Sequence, residues 1–286
     1  MAINFEYIST NNIRVHTALA GPIEGKPVFL LHGFPEAWFG WEKQIAPLVE
    51  AGFRVIVPDQ RGYNLSDKPR GVSNYKMDLL GDDILGLADQ LGYEDFYLAG
   101  HDFGAMVSWS LALRVPQRIK RLVIANVPHP AVFKTYLKSH PAQMLKSWYA
   151  IFFQIPRLPE RFVRASNWQF LISAMPDDLS KEEQNRYRQA WSQPGAITGM
   201  INWYRATFGS SSPARAENTI KPSTLIIWGK QDPHLSHQMA PLSLAHCQDG
   251  QLVMIDDATH WVQHDQAEKV SQLIIKHFSS GAPDAN

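Results

Sequence analysis

The sequence predicts an α/β protein with a mainly parallel central sheet flanked by helices. Short apolar runs, typical of strands that are covered on both faces, alternate along the chain with segments of helical length. This alternation stops over 128–221 and then resumes, which indicates a helical insertion between two parts of the sheet. The 286 residues are 45% apolar and 19% charged, so the chain can bury a sizeable core.

The strands are predicted from apolar patterning. The segment Ile13 to Leu19 alternates apolar and polar side chains, as a half-buried strand does. Most later runs are continuous, which favours burial on both faces of the sheet. Strands are predicted at Val28 to Leu31, Val55 to Val57, Phe96 to Ala99, Leu122 to Ile124, Leu225 to Ile227 and Gln251 to Ile255.

Segments long enough for helices separate these strands. In the first half of the chain they are Glu42 to Glu50, Asp78 to Leu91 and Ala105 to Arg114. Two more, Ser236 to His246 and Gln266 to Phe278, belong to the last part of the chain. Strands that alternate with helices in this way are typical of parallel sheets.

The middle of the chain is predicted to form a separate helical layer. It is mostly helical in pattern and rich in proline, aromatic residues and arginine. We therefore predict a core domain of residues 1–127 and 222–286 and a helical cap domain of residues 128–221. A cap that arrives at the carboxyl ends of the strands would cover the loops where such sheets bind ligands.

Charge and composition narrow the classes of partner. The chain has 27 basic residues (lysine and arginine) and 27 acidic residues (aspartate and glutamate). This balanced charge does not favour nucleic acid or an anionic membrane surface as a partner. No apolar run approaches the ~20 residues of a membrane span, and the first residues show no leader pattern. The single cysteine, Cys247, allows no intrachain disulfide. We expect a cytoplasmic protein with a small substrate, and the sequence leaves open whether it forms a homodimer.

The segment Gly100 to Gly104 presents an aspartate between two glycines, directly after a predicted strand and before a predicted helix. Such a strand–turn–helix lifts one side chain above the sheet, where it can act as a nucleophile. A carboxylate is ionised at neutral pH and can attack saturated carbon to form an ester with the enzyme. Asp102 is therefore the predicted nucleophile.

Hydrolysis of such an ester needs a base to activate water and an acid to orient that base. His260 follows the last predicted strand, and Asp232 follows the strand before it, so both lie at carboxyl ends of strands. The order along the chain is nucleophile, acid and histidine. Asp256 and Asp257 are rival acids, but they lie so close to His260 in sequence that we expect them to shape its loop.

The negative oxygen that forms during ester hydrolysis needs hydrogen-bond donors. One is expected from the backbone N–H of Phe103, directly after the nucleophile. The other is expected from Phe34, in the loop His32 to Glu36 that follows an early strand. No metal ligands show a recognisable spacing, and this chemistry requires neither a metal nor a cofactor.

Five segments in this order resemble the epoxide hydrolase branch of the α/β-hydrolases. They are His32 to Glu36, Asp59 to Tyr63, Gly100 to Gly104, and the late Asp232 and His260. The resemblance implies an α/β-hydrolase fold with a helical cap after the sixth strand. It also implies ring opening of an epoxide by Asp102, and release of a vicinal diol by water that His260 and Asp232 activate. We interpret Asp59 to Tyr63 as a structural loop beneath the cap.

Epoxide opening generates an alkoxide, so the site should offer O–H donors. The segment Asn202 to Arg205 is similar to one that carries a cap tyrosine in this family, which makes Tyr204 the first candidate. The position that we align with the family's other cap tyrosine is Phe152, which has no hydroxyl. Tyr149, three residues earlier, is the candidate replacement. Five aromatic side chains are expected to contact an apolar substrate: Phe34, Phe103, Trp148, Phe152 and Trp203.

Two other functions remain open from the sequence. Haloalkane dehalogenases share an aspartate nucleophile, but Phe103 and Phe34 stand where N–H side chains would bind a halide. The arginine that haloacid-type enzymes place beside the nucleophile is also absent at Phe103 and Gly104. Alternatively, the missing hydroxyl at Phe152 would suit a protein that binds an apolar ligand without turnover.

Overall fold

A computed structural model describes residues 2–209 and 219–280. Within these residues, eight strands form one sheet in the order β1-β2-β4-β3-β5-β6-β7-β8. The first two pairings, β1 with β2 and β2 with β4, are antiparallel, and all the others are parallel. The strands are β1 Asn4–Thr10, β2 Ile13–Ala20, β3 Lys26–Leu31, β4 Phe53–Pro58, β5 Phe96–His101, β6 Ile119–Ala125, β7 Ser223–Gly229 and β8 Gly250–Ile255.

Each predicted strand is present, and the mainly parallel sheet is confirmed. The sequence did not predict β1, which lies at one edge of the sheet and pairs with β2 alone. Most of its side chains are exposed, so it lacks the burial that the other strands show. An edge strand that is mostly exposed does not need the run of apolar residues by which the other strands were predicted.

Three helices precede the sixth strand, at the predicted places. They are α1 Glu42–Glu50, α2 Met77–Gln90 and α3 Phe103–Arg114. Helix α3 begins directly after β5, so only Asp102 separates strand from helix. The predicted strand–turn–helix is therefore confirmed.

The segment between β6 and β7 is helical over its described part, as predicted. Residues 210–218 of the predicted cap lie outside the described residues. The helices are α4 Pro130–Ser139, α5 Pro141–Lys146, α6 Trp148–Phe152, α7 Leu158–Ala165, α8 Gln169–Ile172, α9 Lys181–Ser192 and α10 Ala196–Gly209.

The last part of the chain contains α11 Met239–Leu244, α12 Val262–Asp265 and α13 Ala267–Ser279. Helix α13 matches its prediction, whereas α11 is shorter than the predicted Ser236 to His246. The backbone N–H of Ser236 donates to the side chain of Gln143, so the residues before α11 are held by α5. Helix α12 was not predicted.

Two buried tryptophans attach the inserted helices to loops at the carboxyl ends of strands. The indole N–H of Trp191 donates to the carbonyl of Pro35 at 2.6 Å, after β3. The indole N–H of Trp203 donates to the carbonyl of Arg61 at 2.9 Å, after β4. The inserted helices therefore lie over the edge of the sheet where ligands bind in this class of fold.

The loop after β4 supports this contact. The guanidinium of Arg61 donates to both carboxylate oxygens of Asp83, on α2, and both side chains are buried. Gly62 has φ +90° and lies against Gly199 of α10, where an added Cβ would come within 2.7 Å of the Gly62 carbonyl oxygen. The interpretation of Asp59 to Tyr63 as a structural loop agrees with these contacts.

None of the described helices is both long and apolar enough to cross a bilayer.

Candidate active site

Asp102 occupies the turn between β5 and α3 with φ 49° and ψ −122°. A residue other than glycine rarely adopts such a backbone, which costs about 1–3 kcal/mol. The flanking glycines permit it: a Cβ on Gly100 would overlap the Gly104 carbonyl, and one on Gly104 would overlap the Leu31 carbonyl. The turn directs the Asp102 carboxylate away from the sheet, as the sequence predicts for a nucleophile.

The carboxylate of Asp102 is held from the loop after β3. The backbone N–H of Phe34 donates to Asp102 Oδ1 at 2.7 Å. Gly33 lies so close that a Cβ there would overlap the Asp102 side chain. Phe103 is the first residue of α3, where N–H groups have no partner within the helix. Both predicted oxyanion donors therefore lie beside the candidate nucleophile. The N–H of Phe34 already donates a hydrogen bond to the Asp102 carboxylate.

His260 lies between two carboxylates. Its Nδ1 is 2.8 Å from Asp232 Oδ2, and its Nε2 is 3.6 Å from Asp102 Oδ2. Burial alone would lower the pKa of His260, but the charges of Asp232 and Asp102 outweigh burial and raise this pKa to about 10. The imidazole is therefore protonated at neutral pH while both carboxylates are ionised.

Asp232 follows β7 and is fully bonded. Burial opposes its ionisation, but His260 and several donors lower its pKa nonetheless. The backbone N–H groups of His234 and Leu235 donate to Oδ1 at 2.7 and 2.8 Å, and Asn126 Nδ2 donates to Oδ2 at 2.8 Å. A carboxylate bonded in this way can fix the orientation of the histidine.

Tyr204 of α10 and Tyr149 of α6 belong to the inserted helices and lie near Asp102. The ring of Tyr204 is 4.6 Å from that of Phe103 and 5.1 Å from that of Phe34. Tyr149 is 5.9 Å from Tyr204. Burial and the nearby Asp102 charge raise the pKa of both hydroxyls above the usual range for tyrosine. Both groups therefore stay protonated, and able to donate, at neutral pH.

Helix α6 divides its aromatic residues between two faces. Tyr149 and Phe153, one helical turn apart, both contact Tyr204. Phe152 packs instead against Phe162 at 5.7 Å and belongs to an aromatic cluster within the inserted helices. The aligned position that lacks a hydroxyl is thus on the face that does not contact Tyr204.

The structure does not bring all the predicted substrate contacts together. Phe34 and Phe103 lie beside Asp102 and Tyr204. Trp148 is 54% exposed, and its aromatic neighbours are Phe152 and Phe170. Trp203 is buried and contacts Phe103 from the side of the Arg61 loop. Substrate contact by Trp148, Phe152 and Trp203 stays a prediction.

One histidine near the site was not identified from the sequence. His234, two residues after Asp232, has its ring 5.3 Å from that of His260 and 5.8 Å from that of Tyr149. Burial and the positive charge of His260 lower its pKa to about 4. It is neutral at pH 7 and adds a polar group to the site without adding charge. Its position directly after the Asp232 turn was the only available signal.

A buried network of polar side chains, formed by His101, Glu36 and His264, contacts the backbone of His260. His101 Nε2 donates to the backbone carbonyl of His260 at 2.9 Å, and its Nδ1 is 3.1 Å from Glu36 Oε2. His264 Nε2 is 2.7 Å from the other oxygen of Glu36. Burial opposes ionisation of Glu36, but the two histidines lower its pKa well below the usual range. Glu36 and His101 lie in the segments His32 to Glu36 and Gly100 to Gly104, but the sequence alone does not indicate that they meet beneath His260.

Comparisons with known proteins agree with this geometry. The family profile for the alpha/beta hydrolase fold matches residues 26–267. A Bacillus subtilis (strain 168) protein named AB hydrolase superfamily protein YfhM is 43% identical, over 97% of this chain and 99% of its own length. Human epoxide hydrolase 4 is 38% identical over 93% of this chain and 76% of its own length.

Solved structures show the same likeness. A Bacillus megaterium epoxide hydrolase in complex with an inhibitor superimposes with a TM-score of 0.89 at 27% identity, covering 96% of this chain and all of that one. An epoxide hydrolase from metagenomes of hot environments gives a TM-score of 0.88 at 30% identity, covering 99% of this chain and all of that one.

Proposed function

Since the chain belongs to the α/β-hydrolase family, as an enzyme of its epoxide hydrolase branch, we propose that it opens epoxides to vicinal diols through an ester on Asp102. One observation carries this proposal. The carboxylate at the strand–helix turn lies beside the imidazole of His260, and it is close enough to the hydroxyls of Tyr204 and Tyr149 for its charge to help raise their pKa. Side chains able to act as nucleophile, base and O–H donors are thus close together.

In the first step, one oxygen of Asp102 attacks an epoxide carbon, and the bond between that carbon and the ring oxygen breaks. Oδ1 already accepts from the Phe34 N–H, so Oδ2 is the attacking oxygen. The leaving oxygen takes a proton from Tyr204 or Tyr149, whose hydroxyls are protonated at neutral pH. A positioned acid contributes about 10²–10⁴ to the rate of such a step.

Ester formation changes the charge around His260. Free Asp102 helps to raise the pKa of His260, and the ester has no charge. The pKa of the imidazole therefore falls when the intermediate forms, and the tyrosinate can take up the proton that His260 releases. Neutral His260 is then the base that the next step requires.

In the second step, His260, oriented by Asp232, removes a proton from water, which attacks the carbonyl carbon of Asp102. The oxyanion that forms is stabilised by the backbone N–H groups of Phe34 and Phe103. The ester bond breaks, and the departing oxygen takes the proton of the hydroxyl that came from water, so the diol leaves and Asp102 returns as a carboxylate that keeps one oxygen from water. Helices α4 to α10 act in this proposal as the cap over the reaction.

The side chains around Asp102 favour an epoxide over a haloalkane. A departing halide is best stabilised by N–H donors, and neither Phe34 nor Phe103 supplies one from its side chain. Both rings instead contact Tyr204, an O–H donor. Release of bromide from bromoalkanes, without diol from any epoxide, would favour dehalogenation.

The decisive experiment is a single turnover of styrene oxide in water enriched in heavy oxygen, with enzyme in excess. We expect the label in the peptide that carries Asp102 and none in the first diol released. His260→Gln should accumulate the alkylated protein, visible as an increase in intact mass, while His237→Gln, at an exposed histidine, should not. Label in the first diol with an unlabelled Asp102 would exclude the ester.

A further inference from the structure

Exposed apolar side chains are concentrated on one surface of the inserted helices. Of the thirteen large hydrophobic residues exposed in the described chain, seven lie between Met144 and Phe162. Leu145 is 76% exposed, Ile151 59% and Leu158 49%. Trp148 and Phe162 both contact the ring of Phe152, which connects the two ends of this surface. We call it the apolar face.

The segment that carries the apolar face has a net positive charge. Residues 129–178 contain six lysines and arginines and three carboxylates. Asp177 and Asp178 are exposed at the end of the segment, and Glu160 is buried and paired with Arg205 at 2.6 Å. All six cations are exposed and form no ion pair with a described carboxylate. They are Lys134, Lys138, Lys146, Arg157, Arg161 and Arg164, of which Lys146 donates to the backbone carbonyl of Asp232 at 3.5 Å. The whole-chain balance of 27 cations and 27 anions conceals this local excess.

Helix α7 shows the arrangement at its clearest. Leu158 and Phe162, four residues apart, are exposed on one turn, while Val163 is buried against the rest of the protein. Arg161 and Arg164 lie on the same short helix and are exposed. Long cationic side chains can bury their stems on apolar surface and keep their charge at a polar boundary.

We infer that the apolar face docks on the surface of an anionic lipid bilayer. The exposed leucine, isoleucine and aromatic side chains would enter the boundary between headgroups and acyl chains, and the cations would bind lipid phosphates. A second copy of this chain fits less well, since a symmetric contact would bring the same unpaired cations together.

This inference revises the expectation, drawn from whole-chain charge, that no membrane surface is a partner. It does not depend on the proposed reaction. It does place the bilayer next to the candidate site, since α6 carries Ile151 on the apolar face and Tyr149 beside Tyr204.

The test is sedimentation of the full chain with vesicles of phosphatidylcholine, alone or mixed with phosphatidylglycerol. We expect binding to the mixed vesicles that weakens as salt is raised. Arg157→Gln/Arg161→Gln/Arg164→Gln should weaken it on the order of a hundredfold, at about 1 kcal/mol for each cation near an anionic surface. The matched control is Lys26→Gln/Lys181→Gln/Lys269→Gln, three exposed lysines outside the segment.

The apolar contribution is tested separately. Leu145→Ser/Ile151→Ser/Leu158→Ser should abolish binding, whereas Ile23→Ser/Leu242→Ser, at exposed positions elsewhere, should not. Circular dichroism and thermal unfolding establish that each variant is folded. Failure to bind the mixed vesicles, or equal binding by both arginine and lysine variants, would overturn the inference. So would a dimer in sedimentation velocity that the leucine and isoleucine changes dissociate.

Discussion

Nε2 of His260 lies 3.6 Å from Oδ2 of Asp102, on the edge of the ring opposite to the one that Asp232 contacts. The proposed base and the proposed nucleophile are thus neighbours of opposite charge. This relationship makes the protonation of His260 depend on the state of Asp102, and the first two predictions follow from it.

Asp102→Asn should lower the pKa of His260 from about 10 towards its ordinary value, because one of the two carboxylates that raise it is removed. Turnover should fall to background in the same variant. The measurement is an NMR titration of the imidazole in both proteins. An unchanged pKa would mean that Asp232 alone holds the proton, and the proposed release of that proton on ester formation would fail.

Stability should decline at alkaline pH. The folded-state pKa of His260 is raised above the ordinary 6.5, so its contribution is fully present below pH 6.5 and is lost as pH rises through about 10. Urea unfolding between these limits should show a falling free energy of unfolding. His260→Gln should flatten this decline, and His237→Gln, at an exposed histidine, should leave it intact.

Tyr204→Phe and Tyr149→Phe should each slow epoxide opening, by up to about 10²–10⁴ if the other hydroxyl cannot compensate. Single-turnover kinetics separate this step from binding, and Tyr7→Phe, at an exposed tyrosine, is the control. Adding Phe152→Tyr to Tyr149→Phe should restore little, because residue 152 packs towards Phe162. Full rescue by the added hydroxyl would contradict the assignment of Tyr149.

Glu36→Gln should destabilise the protein by about 2–3 kcal/mol, since hydrogen bonds to a buried charge are lost or weakened. Turnover should also fall, because His101 links Glu36 to the backbone of His260. Chemical denaturation and kinetics at saturating substrate give the two quantities. Glu94→Gln, at an exposed carboxylate, is the control, and matching behaviour of the two variants would remove Glu36 from this supporting role.

The sequence predicted that Asp102, Asp232 and His260 lie close together, because parallel strands end at one edge of a sheet. Residues that follow β5, β7 and β8 must meet there, whatever the length of chain between them. The position of α6 was harder to predict. Whether Phe152 or Phe153 faces Tyr204 depends on how a short helix is rotated, which alignment with a family motif does not determine.

The supporting network was beyond sequence reasoning for a related reason. Glu36, His101 and His264 come from three distant segments, and each alone is an ordinary polar residue near the end of a strand or in a short helix. Their meeting point appears only when the sheet is assembled. The position of His234 could not be predicted either. Its backbone N–H donates to Asp232 Oδ1, and the turn formed in this way places its ring beside that of His260.

The two indole bonds that attach the inserted helices both end on main-chain oxygens, at Pro35 and Arg61. Every amino acid carries that acceptor, so replacement of either partner residue leaves the oxygen in place. Trp191 and Trp203 have no such substitute, because no other side chain offers an indole N–H. Substitution of Pro35 or Arg61 should therefore leave these two indole bonds in place, whereas substitution of Trp191 or Trp203 should remove one of them.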